Sequence, residues 1–251
     1  MIRPTRRLSK LMVVLALVLG VGSVVAMAAA PLGALRLLRP AWSEPSVLLW
    51  DTALSLLFFA QHSGMVRPGV RARMARAIAP VYIPAIYASA SGVALGLVVL
   101  LWQPSELRIV ALAGPLRVAS QALALAAVGL FVWGARSLRT FDPLGLSPVV
   151  GQLRAQPPQP STFVVRGAYR LVRHPLYLAV LVLFWSCPDV TLDRLLFNLL
   201  WTAWIVVGTL LEEADLVAEF GEAYRAYRRT VPMLVPWPTS VGRLPVEEQS
   251  P

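Results

Sequence analysis

Four stretches of this chain, at roughly 11–30, 46–63, 81–102 and 115–135, run for membrane length with almost no charge. A helix needs about 20 apolar residues to cross a hydrocarbon layer, and each stretch supplies them. A fifth apolar region, from Leu176 to Leu211, is interrupted only at Asp189, Asp193, Arg194 and Asn198. Within it Cys187-Pro188-Asp189 breaks the run into arms of about 12 and about 20 residues, which predicts a helical hairpin whose first arm is short. Composition agrees: 57% of the residues are hydrophobic and 14% charged, where a soluble domain has about 25% charged. The predicted fold is all-α. It is a polytopic membrane bundle of four full spans, a C-terminal transmembrane hairpin and a cytoplasmic amphipathic helix.

Lysine and arginine accumulate on the cytoplasmic side of membrane proteins, so alternate loops test this topology. Segments 1–10, 64–80, 135–175 and 212–251 carry four, four, six and four such residues. The opposite loops hold only Arg36, Arg39, Arg108 and Arg194, and Arg117 lies inside a span. Both termini are therefore expected in the cytoplasm. Arg3, Arg6, Arg7 and Lys10 before an apolar run, with small residues from Ala26 to Ala30 after it, also describe a signal peptide. Removing that segment would break the charge alternation, so it reads as an uncleaved first helix.

One cysteine, Cys187, and two histidines, His62 and His174, exclude a disulfide framework and leave too few soft ligands for a zinc or iron-sulfur centre. No metal is expected. The net charge of +10 comes from arginines scattered among loops, not from a basic stripe with interleaved aromatics, so nucleic acid is not an expected partner. Membrane lipids are. The proline-rich 136–172 connection reads as a cytoplasmic loop. After Glu212, Leu216, Phe220, Tyr224 and Tyr227 recur at helical spacing, predicting an amphipathic helix stopped by Pro232, Pro236 and Pro238. Residues 1–239 read as one integral-membrane domain, with 136–236 as its cofactor-binding part and 240–251 as a disordered tail. Gly20-Val21-Gly22 follows no strand and is no dinucleotide fingerprint.

Polar groups at membrane edges are costly and mark functional sites. Arg173-His174-Pro175-Leu176-Tyr177 opens the hairpin and Glu212-Glu213 closes it. If the arms are antiparallel, both clusters reach the same cytoplasmic interface and can face one ligand. An arginine fork and an imidazole suit a carboxylate, a carboxylate suits an ammonium or ribose hydroxyls, and aromatic faces suit a cation. S-adenosylmethionine presents all of these features, though spacing alone does not select it. The plainer alternative places Arg173 in the cytoplasmic positive belt, Tyr177 in the aromatic belt and the glutamates at a hydrated helix end.

The ordered motif is more specific. Arg-His-Pro-Leu-Tyr at 173–177, Glu-Glu-x-Asp-Leu at 212–216 and Phe-Gly-x-x-Tyr-x-x-Tyr-x-x-x-Val-Pro at 220–232 resemble the C-terminal half of the isoprenylcysteine carboxyl methyltransferase and phospholipid methyltransferase superfamily. Gln61-His62-Ser63-Gly64-Met65-Val66-Arg67-Pro68 and Phe141-Asp142-Pro143-Leu144-Gly145-Leu146 resemble its bacterial methanethiol S-methyltransferase and NnrU-like branch. The chain departs from that branch at Ile83-Pro84, where a Glu-Arg pair is expected, and at Thr140, Pro143 and Ala214.

The resemblance implies an inner-membrane enzyme that transfers a methyl group from S-adenosylmethionine to a small thiol or similar lipophilic acceptor. It also allows another acceptor of the isoprenylcysteine or phospholipid type, or a non-catalytic accessory protein. Carried over, Arg173, His174, Tyr177, Glu212, Glu213 and Tyr224 would bind the cofactor. His62 and His174 are the candidates for assisting loss of the thiol proton, since the thiolate is the nucleophile. His62 equally suits a structural role at the end of the second span, bonded to a backbone carbonyl.

Overall fold

The computed structural model describes residues 5–29, 41–138, 142–156 and 163–236. Arg36, Arg39, Thr140, Phe141, the prolines at 157, 158 and 160, and the tail from Ser240 lie outside these residues. The described residues are 76% helical with almost no sheet. Among the described residues four helices are long and apolar enough to cross a membrane: Arg6–Met27, Pro80–Leu101, Gly114–Ser137 and Leu192–Phe220. The helix Glu44–Met65 forms across the second predicted span and is 22 residues long. It stands apart from those four in polarity, because Asp51, Gln61 and His62 interrupt its apolar sequence.

The chain divides into two compact units. The first combines Met1–Leu107, Asp142–Pro160 and Thr191–Leu200. Here α1 (Arg6–Leu15) starts at Thr5, whose hydroxyl accepts from the Leu8 amide at 3.2 Å. It continues through a π-helical turn at Ala16–Val21 into α2 (Gly22–Ala29). Next come α3 (Glu44–Met65), the short α4 (Pro68–Ala77) and α5 (Ile83–Leu101). The first helix approaches α5 so closely that a Cβ on Gly92 would meet the Leu19 carbonyl oxygen at 2.4 Å. Ala16, Ala79, Tyr82, Ala85 and Val149 form the buried core. The Tyr82 hydroxyl accepts from the Thr5 amide at 3.2 Å and lies 2.9 Å from Ser9 Oγ.

The Asp142-to-Leu146 segment belongs to this unit. Asp142 accepts from the Leu146 and Ser147 amides at 2.8 and 2.7 Å, capping α7 (Ser147–Leu153). Gly145, at φ +63°, leaves no room for a side chain beside Pro84. Proline at the start of α5 is thus part of a close contact.

The second unit combines Arg108–Phe141, Ser161–Val190 and Trp201–Pro251. Its α6 (Gly114–Ser137) lies along α8 (Pro175–Trp185), with Gly134 facing Leu176 and Pro175. Arg117 pairs with Asp189 at 2.8 Å, and Ser120 donates to the Ser186 carbonyl at 2.6 Å. Two short strands not anticipated from the sequence, β1 (Arg108–Ala111) and β2 (Asp189–Thr191), pair in the segments read as outer loops. Ile109 and Val110 have the β-branched side chains that favour this pairing.

The hairpin reading needs two adjustments. At 11 residues, α8 rises about 16 Å, roughly half a hydrocarbon thickness. The second arm, α9 (Leu192–Phe220), does not stop before the acidic pair but runs on as one 29-residue helix of about 43 Å. The predicted amphipathic helix after Glu212 is therefore divided. Its first part is the end of α9 and its second is α10 (Glu222–Thr230), separated by Gly221 at φ +57° and ψ −127°. The expected apolar stripe survives the break: Tyr224, Tyr227 and Val231 are buried against Phe163, Val165, Leu216, Val217 and Phe220.

Two glycines at positive φ give a graded test of this architecture. At Gly221 an added Cβ meets nothing within 4 Å, so alanine brings backbone strain alone, about 1–2 kcal/mol. At Gly167 the same Cβ would lie 2.1 Å from Ser137 Oγ, adding a clash to a similar strain. Thermal unfolding in detergent is expected to rank Gly167→Ala as clearly less stable than Gly221→Ala, with both below the parent.

Candidate functional site

The segment before α8 follows a 3-10 turn at Gly167–Arg170 and is held by the chain's C-terminal region. Arg173 N–H donates to the Pro232 carbonyl at 2.8 Å and His174 N–H to that of Met233 at 3.1 Å. Pro175 then occupies the first turn of α8, where its missing N–H costs nothing. This fixes Arg173 and His174 at the helix entrance and brings Tyr177 around one turn later. The His174 and Tyr177 rings stack at 5.6 Å with 9° between their planes.

Glu213 on α9 is the centre of the arrangement and is 2% exposed. Its Oε1 accepts from Arg173 Nε at 2.6 Å and lies 3.2 Å from His174 Nε2. Its Oε2 faces Arg228 Nε of α10 at 3.2 Å. A buried carboxylate is tolerated only when paired and hydrogen-bonded, and here both oxygens have partners. Arg173 also donates to the carbonyls of Arg228, at 3.1 Å, and Val231. Its guanidinium ties α9 to the end of α10 and is engaged on several sides within the protein.

Glu212 is placed differently. Tyr177 donates to its Oε2 at 2.7 Å, and His174 Nδ1 lies 4.0 Å from the same oxygen. Its side chain is 43% exposed, so this carboxylate borders both the cluster and the surroundings. Burial pushes the His174 imidazole below its usual value, against the opposing pull of Glu212 and Glu213. The Tyr224 phenol is pushed up to about 12, first by burial and then by the Glu213 charge. Tyr224 is 2% exposed and its hydroxyl has no hydrogen-bond partner, although a buried phenol normally finds one. Tyr227 donates to the Tyr169 carbonyl at 2.6 Å and is structural.

Arg173, His174, Tyr177, Glu212 and Glu213 are thus brought together as the motif predicts, with Tyr224 near their charges. His62 lies in the first unit, in a cluster of its own. Its Nε2 is 2.6 Å from the Tyr87 hydroxyl and its Nδ1 is 3.2 Å from Ser91 Oγ. Side chains of α5, and not the backbone carbonyl expected for a structural role, occupy both ring nitrogens. Sequence reasoning missed Arg228, which is not part of the apolar stripe of the predicted amphipathic helix, and the carbonyls near Val231-Pro232. The recurrence of Val-Pro in the motif was the available signal, since a proline supplies an acceptor and no competing donor.

No described protein-family profile matches the chain, and no solved structure does. Individual relatives are clear. The chain is 37% identical over 202 residues to methanethiol S-methyltransferase of Pseudomonas sp. (strain GM41(2012)), covering 78% of this chain and 76% of that protein. It is 35% identical over 183 residues to methanethiol S-methyltransferase of Mycobacterium tuberculosis, covering 72% and 75%. Nurim of Sus scrofa matches at 31% over 185 residues, covering 67% and 68%, and ties the chain to the wider isoprenylcysteine methyltransferase-like membrane proteins. At this identity over most of both lengths, the chain belongs to the methanethiol S-methyltransferase family.

Proposed function

We propose that the chain is an integral-membrane methyltransferase that uses S-adenosylmethionine to methylate a small thiol such as methanethiol. One observation carries the cofactor assignment: the second unit gathers a partly exposed carboxylate, an imidazole stacked on a phenol ring and a buried phenol with no hydrogen-bond partner. The relatives' names support the reaction and the thiol. The cytoplasmic placement of both termini, in a bacterial inner membrane, rests on the arginine distribution.

The residues fit the cofactor with a division of labour sharper than the motif alone suggests. Glu213 and Arg173 are engaged with one another and with Arg228, so they form the scaffold wall. Glu212, partly exposed and oriented by Tyr177, is the carboxylate suited to an ammonium or to ribose hydroxyls. The unpaired Tyr224 hydroxyl suits an anionic or carbonyl oxygen. When bound, the cofactor supplies an electrophilic methyl group on a sulfonium. His174, kept neutral by burial, adds a hydrogen-bonding group without placing a second positive charge beside that sulfonium. Much of the catalysis is then positioning, because the displacement is in-line. Loss of charge between a thiolate and a sulfonium is favoured where water is scarce.

Membranes containing the protein, supplied with methanethiol and methyl-labelled S-adenosylmethionine, are expected to release labelled dimethyl sulfide. Absence of both transfer and cofactor binding would overturn the reading. His174→Ala is expected to weaken cofactor binding about tenfold, roughly 1.4 kcal/mol, in a titration of purified protein. Glu213→Gln leaves Arg173 facing a neutral partner and is expected to cost about 3 kcal/mol of stability as well.

The imidazole gives a pH test with a definite sign. His174 lies below its ordinary 6.5 in the folded protein, so the unfolded chain binds its proton first as pH falls. Its contribution to stability is complete above 6.5 and is lost as pH drops from there toward the folded value. Unfolding temperatures measured on either side of that value should fall with acidification less steeply in His174→Gln than in the parent.

A further inference from the structure

Little of the first unit covers α4. The helix buries none of its 10 residues, and an isolated helix of that length is marginal in water. Val70, Met74 and Ala77 fall at i, i+4 and i+7, forming an apolar stripe along one side, and Val70 is 39% exposed. Arg71 and Arg73 lie to either side of the stripe, and both are exposed, as is Arg76. None of the three forms an ion pair among the described residues. The sequence has no aspartate or glutamate between Asp51 and Glu106 to balance them. The arginines of α10 differ, since Arg225 and Arg229 pair with Glu222 and Arg228 pairs with Glu213.

The chain also confines α4 to one level. Val66 and Arg67 join it to α3, and only Ile78 and Ala79 separate it from the apolar span Pro80–Leu101. The span Arg6–Met27 begins at the same end of the unit, because the Thr5 amide and Ser9 Oγ lie 3.2 and 2.9 Å from the Tyr82 hydroxyl. Arg6, Arg7 and Lys10, all exposed, therefore join the α4 arginines at that end. A helix tethered at the mouth of a membrane span meets lipid headgroups whichever way the protein faces. We propose that α4 lies in the headgroup layer and, with the start of α1, binds anionic phospholipids. The Val70 stripe reaches the acyl boundary, and the flanking arginines extend their guanidiniums to the phosphates. Uncompensated positive charge selects anionic over zwitterionic headgroups. A nucleic acid or an acidic protein would meet the same charges but leave the apolar stripe in water.

Full-length protein would be placed in nanodiscs of phosphatidylcholine alone, or of equal parts phosphatidylcholine and phosphatidylglycerol, which leave both faces open to trypsin. Cleavage after Arg71, Arg73 and Arg76 is expected to be roughly tenfold slower in the anionic discs, and molar salt should remove most of that protection. In phosphatidylcholine discs, a spin-labelled phosphatidylglycerol probe is expected to associate with the protein about fivefold more strongly than a phosphatidylcholine probe. A variant carrying Arg71→Gln, Arg73→Gln and Arg76→Gln should lose most of this preference, whereas Arg225→Gln with Arg229→Gln should keep it. Proteolysis of the parent decides the question if the triple variant does not fold. Equal cleavage in both discs, equal association of both probes, or equal losses in the two variants would overturn the proposal. Protection in phosphatidylcholine discs by inorganic phosphate or heparin, beyond that of chloride at matched ionic strength, would assign the face to a soluble anion and overturn it too. None of these outcomes depends on methyl transfer, so failure here leaves the methyltransferase reading intact.

Discussion

The Glu213 carboxylate imposes the strictest physical requirement on the second unit. A charge that is 2% exposed must find its compensation inside the protein, and the chain brings three side chains to it from two separate places. Arg173 and His174 come from the approach to α8, and Arg228 comes from α10. Meeting this requirement settles where α10 lies and why residues 173–174 run beside 232–233. The partly exposed Glu212 and the unpaired Tyr224 hydroxyl are positioned as a result. The apolar contacts of Tyr224, Tyr227 and Val231 reinforce the arrangement, but they are non-directional and would not by themselves select it.

Carboxylates act as backbone staples elsewhere too. In the first unit Asp51 accepts from the Gln103 amide at 3.0 Å, and Asp193 from the Ser105 amide at 3.0 Å and from Trp102 Nε1 at 2.9 Å. Both secure the chain just after α5 ends. Asp142 does the same for the start of α7. By hydropathy alone an aspartate this near a helix end belongs at the membrane interface, yet Asp51 is fully buried. The difference is physical: hydropathy registers the cost of a carboxylate in an apolar helix but not the amide 52 residues away that offsets it.

Legibility in the sequence followed the range of the interaction. Apolar length revealed the helices, because burial of a helix in hydrocarbon depends on its own residues. The Arg173-to-Tyr177 segment and Glu212-Glu213 were legible as one site, because each is polar at the edge of an apolar run. Gly221 was visible in the motif, but continuous helical spacing through Leu216, Phe220, Tyr224 and Tyr227 hid its break. The Tyr87 and Ser91 partners of His62 were not legible at all. They are 25 and 29 residues distant in sequence, and their meeting depends on the rotation of two packed helices. The short strands escaped notice for the same reason, as pairing is a property of two segments and not of either alone.

The carbonyl contacts of Arg173 have a consequence for biosynthesis. Ribosomes deliver residues 228–233 after every long apolar helix of the chain has been made, so the helices can be threaded into a bilayer before the site exists. Until then Arg173 and Glu213 have each other but lack Arg228 and the carbonyls that complete their shell. A nascent chain halted near Phe220 would carry an incompletely neutralised carboxylate at a helix end.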